Sequence, residues 1–234
     1  LSPLIQLAAA CALAIATPDD LPAAALATLC RATPDAPTPF AFSGAGFTAV
    51  ECHWPYAVAP DAVTAALADA GVPMVGINTR RGEAERGDFG LAALPGREAE
   101  ARRTIDEALA YAGAIGCPNV HVMAGRARGA EARRTYLANL SYAADQAARQ
   151  GAGVTVLIAP INERDGDGYH LSRLEDAVDV VLQLDTPGVR IMFDCYHLQI
   201  MGGDLLCPFE AHRSLVGHVQ FAGVPDRQEP DRGE

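Results

Sequence analysis

A chain of 234 residues, half of them hydrophobic, is long enough for one α/β domain with a large core. Its formal charge of −11 argues against a nucleic-acid groove, which depends on clustered Lys and Arg contacts to phosphate. All 18 basic residues are arginine, so this chain excludes Schiff-base, pyridoxal-phosphate and P-loop chemistry, each of which needs a lysine.

Residues 1–18 carry no charge. LIQLAAACALAIA reads as a buried or extension helix in preference to the apolar part of a secretory signal, and it is short for a membrane span. The helix reading keeps the chain in the cytoplasm; a signal remnant over 1–16 would make it periplasmic or secreted. The expected division is an apolar extension over 1–19 and one domain over 20–234. Within that domain LPAAALATL (21–29) must supply the first strand, and it is a poor β sequence. TAVEC (48–52) is a strand, followed by a helix near 60–71. MVGIN (74–78) leads into an Arg- and Gly-rich loop through Gly96. A long helix over 98–115 precedes the strand VHVMAG (120–125). A helix over 130–150 precedes VTVLIAP (154–160), and 172–184 is helical. VRIMFD (189–194) is a buried strand, 205–214 is helical, and GHVQFAG (217–223) is the last strand.

Strands alternating with helices predict a parallel sheet with right-handed crossovers. No GxGxxG follows a strand, which weakens a doubly wound dinucleotide-binding fold. Polar residues instead end six strands or their loops: Glu51, Asn78, His121, Asn162, Asp194 and Gln220. Convergence of many strand ends on one site is the behaviour of a (β/α)8 TIM-type barrel. The six cysteines lack metal-site spacing and read as small buried residues of a reducing compartment; Cys195 is a bystander rather than a nucleophile.

Asp194 and Gln220 end successive strands and are hard oxygen donors, suited to Mg2+ or Mn2+. An Asp at a strand end serves as often as a helix cap, and a lone His197 is more often structural. Together with the HVQ strand, the functional reading is preferred.

FDCYHLQIMGGDL, GHVQFAG, APINERDGDGYHL, GFTAVECHWPY and ALPGREAEARRTIDEALAYAGAIGCPNVHVMAG resemble the hydroxypyruvate isomerase family of xylose-isomerase-like TIM barrels, over about residues 44–234. The resemblance implies a divalent metal held by four strand-end ligands, with two glutamates as an acid/base pair. These move a proton between adjacent carbons of a small hydroxy-carbonyl acid, as in conversion of hydroxypyruvate to tartronate semialdehyde. Carried across, Asp194 and Gln220 match two metal ligands. His197 and Arg227 match substrate-contacting positions, Asp165 an assisting carboxylate, and Glu51, Asn78, Asn162 and His170 stretches that shape the mouth.

Two departures matter. The family's EPIN reads APIN, so Ala159 stands where a glutamate is expected, and the sequence ends at Glu234 before an eighth strand and its glutamate. The expectation is therefore an incomplete barrel, with the eighth strand absent, the first degenerate, and the gap covered by residues 1–18 or by a second copy. Weak divalent-metal binding and doubtful turnover follow, with Glu163 as the one substitute carboxylate. The competing readings are a non-catalytic relative that binds a small sugar acid or a partner chain, and a sugar epimerase of the same superfamily. An abasic-site endonuclease is disfavoured by the acidic charge.

Overall fold

A computed structural model describes residues 11–12 and 48–227. The sheet has seven strands, paired in sequence order: β1 (Cys11–Ala12), β2 (Val50–Cys52), β3 (Met74–Asn78), β4 (Asn119–His121), β5 (Thr155–Ile158), β6 (Val189–Asp194) and β7 (Val216–Gln220). The helices are α1 (Pro60–Ala70), α2 (Glu98–Ile115), α3 (Gly129–Gln150), α4 (Leu174–Leu184), α5 (Cys195–Met201) and α6 (Leu206–His212). From β2 to β7 every pair is parallel, with helices in the crossovers, as the alternating pattern predicts. Among the described residues the sheet does not close, so this is an incomplete (β/α) barrel with β1 and β7 as its edges.

Cys11 and Ala12 are extended, not helical, and pair antiparallel with Cys52 and Glu51. The free edge of β2 offers unpaired N–H and C=O groups, and pairing there outweighs local helix propensity. That pair is also the one exception to an all-parallel sheet. The proposed first strand, 21–29, lies outside the described residues. Finally, α5 was not expected; it starts at once after β6 because Asp194 caps it, its Oδ1 accepting from the Tyr196 N–H at 3.0 Å.

Strand side chains alternate between two faces. Val50, Cys52, Ile77, Val120, Val156, Ile158, Ile191, Phe193 and Val219 join the main core with helix residues such as Val63, Leu67, Ile105, Leu109, Leu140 and Val181. Burying each such side chain contributes about 1.5–3 kcal/mol. On the other face Leu157, Ala159 and Met192 form a small separate cluster. The rest of that face is polar and buried: Glu51, His121, Asp194, His218 and Gln220. A polar interior under an apolar outer layer concentrates the chemistry inside the barrel.

The loop after β3 is fastened across the loop after β4. Gly90 and Gly125 pass backbone to backbone, with φ of 107° and 94°, and a Cβ on Gly90 would lie 2.6 Å from the Met123 carbonyl oxygen. Arg126 reinforces the crossing by donating to the carbonyls of Gly87 and Asp167. This fixes Phe89 over the barrel mouth, edge-on to Tyr169 at 5.7 Å.

Candidate functional site

At the carboxyl ends of the strands lies a cavity of about 180 Å³. His53, Asn78, His121, Ala159, Asp165, Asp194, His197, Gln220 and Arg227 line it, with Trp54, Phe89, Met123, Ile161 and Met192 as apolar wall. That volume suits a small organic acid.

Asp194 caps α5 and also lines the cavity. While Oδ1 caps α5, Oδ2 accepts from the Arg227 guanidinium at 3.0 Å and lies 3.6 Å from His197 Nε2. Arg227 also lies over the Tyr196 ring, 5.0 Å from its centre. His197 is held from behind by Asn162. Asn162 Oδ1 accepts from the Asp165 N–H at 3.0 Å, which turns the amide nitrogen toward His197 Nδ1 at 2.6 Å. Nδ1 is therefore the acceptor, and Nε2 carries the proton toward Asp194. Burial holds His197 below the ordinary histidine pKa, the Asp194 charge opposing it.

Beneath the cavity Glu51 joins two residues of β7. Its Oε2 accepts from Gln220 Nε2 at 2.7 Å, and its Oε1 meets His218 Nε2. Burial lowers the His218 pKa, but the charge and hydrogen bond of Glu51, with Asp194 beyond, carry it above its ordinary value. At His53 the charges of Glu51 and Asp194, and at His121 that of Asp194, oppose burial without overcoming it. Burial dominates both, and His121 is pushed down to about 3.

Of the residues singled out from sequence, Asn78, Asp165, Asp194, His197, Gln220 and Arg227 come together around the cavity. Asn162 stands behind His197, and Glu51 lines a smaller void underneath. Glu163 is not brought in: it is exposed and pairs with Arg128 at 3.1 Å. His170 is also apart, in a recess with Arg133 and Asp176, its Nδ1 against the Ala127 carbonyl. The sequence reading did not single out His53, Trp54, Phe89 or His218, and it noted His121 only as a strand end. For His218 the signal was available: it stands two residues before Gln220 on one strand, hence on the same face.

Asp194 and Gln220 pair across β6 and β7 and are the donors a divalent ion would meet. The fit is poor. One Asp194 oxygen is bonded to Arg227 and the other to the α5 backbone. Among the described residues no three His, Cys, Asp or Glu side chains are placed to hold a metal. The described residues do not fit a resident metal site.

Comparisons with known proteins agree with this architecture. The family described as xylose isomerase-like TIM barrel matches residues 41–234. A 2-oxo-tetronate isomerase of Cupriavidus necator is 47% identical over 193 residues, covering 81% of this chain and 74% of the relative. A Homo sapiens protein provisionally named a hydroxypyruvate isomerase is 40% identical over 199 residues, covering 81% and 71%. A crystal structure of an AP endonuclease, family 2, from Brucella melitensis superposes with a TM-score of 0.80 at 38% identity, covering 84% of this chain and 76% of that one.

Proposed function

The chain belongs to the xylose isomerase-like TIM barrel family, and from that membership we propose that it binds a three- or four-carbon hydroxy-carbonyl acid and isomerises it slowly. Relatives named for hydroxypyruvate and 2-oxo-tetronate supply the substrate class. The observation that carries the reading is the cavity at the strand ends, with the Asp194–Arg227 pair and Ala159 in its wall.

In this reading Arg227 receives the substrate carboxylate through its guanidinium, which remains charged at any working pH. Asp194 and His197 orient each other and present the His197 N–H to a substrate oxygen. Trp54 and Phe89 exclude water from the mouth. Proton transfer between adjacent carbons needs a base aimed at the carbon, and Ala159 supplies none. His197 turns its Nδ1 lone pair to Asn162 and Asp194 is bonded at both oxygens, so neither is free as a base, and turnover falls to poorly placed groups such as Asp165. A Mg2+ or Mn2+ ion would have to displace Arg227 from Asp194, and would be held weakly by Asp194 and Gln220 alone.

A non-catalytic acid-binding role is the second reading, favoured by that same alanine. A nuclease role like that named for one structural neighbour is disfavoured, because a chain of net charge −11 is a poor partner for phosphate backbones. The test is calorimetric binding of hydroxypyruvate and 2-oxo-tetronate to the whole chain, with turnover followed by NMR in the presence of Mn2+ and then of chelator. Saturable binding with slow conversion is expected. Binding without conversion favours the second reading, and no saturable binding of either acid removes both.

A further inference from the structure

His121 closes β4 with its ring only 4% exposed, yet neither Nδ1 nor Nε2 has a hydrogen-bond partner among the described residues. Buried polar groups are nearly always satisfied, and the exceptions concentrate where a ligand completes the bonding. The ring borders both the cavity and the small void beneath it. Its strand neighbours are Asn78 on β3 and Leu157 on β5, with Ala159 two residues further along the chain from Leu157. Met123 and Met192 add apolar wall. The charged and titratable groups that it feels are His53, His197 and Asp194.

We propose that the corner between His121 and Ala159 is the subsite for an uncharged ligand oxygen, carbonyl or hydroxyl, with His121 as its hydrogen-bond partner. The inference rests on the reading that the cavity takes a small acid, and it assigns the two ends of that acid. A buried neutral imidazole has one donor and one acceptor, which matches a hydroxyl or a carbonyl. A carboxylate has no counter-charge in this corner, because burial keeps the ring neutral. Arg227 is the guanidinium lining the cavity, so the carboxylate belongs there. The short side chain of Ala159 leaves the corner open, so the ligand carbon beside the carboxylate can bring its oxygen to the ring. His121 is thus a specificity-determining residue: it separates 2-hydroxy and 2-oxo acids from acids of the same length without that oxygen.

The experiment uses the full chain labelled with 15N-histidine, titrated with lactate and with propionate, which lacks the C2 oxygen. Lactate is expected to shift the His121 ring nitrogens and to bind at least tenfold more tightly than propionate. The variant His121→Phe should bring lactate down to the propionate level, and His121→Asn should recover part of the difference. Equal binding of the two acids, or lactate binding without movement of the His121 nitrogens, overturns the subsite and leaves the acid-binding cavity standing. Failure of both acids to bind overturns both. Should His121→Phe fail to fold, the wild-type shifts and the lactate-to-propionate ratio decide.

Discussion

Gln220 Nε2 donates to Glu51 Oε2 at 2.7 Å across 169 residues of chain, tying the last strand of the sheet to the second. Because the amide nitrogen is turned to Glu51, the amide oxygen is the group left for the cavity. Glu51 can lie there because residue 76 is glycine: a Cβ would come within 3.1 Å of Glu51 Oε1. With His218 on the other oxygen, this carboxylate is buried but paired. Glu51→Leu strands His218 and Gln220 in a dry interior and should cost about 3–5 kcal/mol in urea unfolding, the usual range for breaking a buried pair from one side. Glu51→Gln keeps an acceptor for Gln220 and should cost less than half as much.

The histidines predict a stability optimum near pH 6.5. His53, His121 and His197 have lowered folded pKa values, burial first among the causes. As pH falls below 6.5 the unfolded chain takes up these protons and the folded chain does not. Stability should then fall by up to about 1.4 kcal/mol per pH unit for each such histidine. His218 has the opposite sign: its folded pKa is raised, so its contribution is complete below 6.5 and is lost as pH rises through the raised value. Urea unfolding from pH 5 to 8 should trace this dome, and His121→Phe should flatten its acid side. A monotonic profile would contradict the assignment.

The strand-by-strand architecture was legible in the sequence because outward-facing apolar runs and alternating helices leave strong periodic signals. Asp194, Gln220 and Arg227 were legible through motif resemblance. What was not legible depends on long-range contact. Glu163 lies only four residues from Ala159, yet the chain turns after Asn162 and carries it out to Arg128. Glu51 read as a residue of the mouth, but its partners lie on β7, where no local pattern points. The pairing of Cys11–Ala12 was hidden because its sequence has helix-forming composition and the edge of β2 decides otherwise.

The loop crossing at the mouth gives a sharper stability test. Gly90 has φ of 107°, and an added Cβ would lie 2.6 Å from the Met123 oxygen and 2.7 Å from the Gly125 nitrogen. Backbone is on every side, so no side chain can move aside. Gly90→Ala should lose about 2–4 kcal/mol, combining a disfavoured φ with overpacking. The displaced Phe89 should also raise KM for any small acid turned over. Thermal melts with and without lactate separate the two effects.

Arg227 tests the carboxylate end of the site. It is 30% exposed, but its partner Asp194 is buried, so Arg227→Leu leaves that carboxylate unpaired and should cost about 3–5 kcal/mol in urea unfolding. A charge-assisted hydrogen bond to a carboxylate contributes about 1.5–3 kcal/mol. Lactate binding should therefore weaken about 10–100-fold by calorimetry, measured below the lowered melting temperature of the variant. An unchanged affinity would move the carboxylate elsewhere in the cavity.

Ala159→Glu carries the decisive change in chemistry. The alanine is 2% exposed and lines the cavity next to Asp194, His197 and His121, so a longer side chain there would extend into space a ligand now reaches. The new carboxylate would be partly desolvated and would face Asp194, both of which raise its pKa toward the range where a base works at neutral pH. It would also meet the unpartnered His121 ring, giving it an anchor. Folded-state stability should fall by about 1–3 kcal/mol for the buried charge. Turnover of hydroxypyruvate or 2-oxo-tetronate should nevertheless rise about 10²–10⁴-fold, the usual contribution of a positioned acid or base. Lactate affinity should drop in the same variant, because the glutamate competes for the corner beside His121. A rise in rate with a loss of lactate binding would place the reacting carbon and the C2 oxygen in that corner together; a folded variant with no gain in rate would mean that a further group is needed to complete proton transfer.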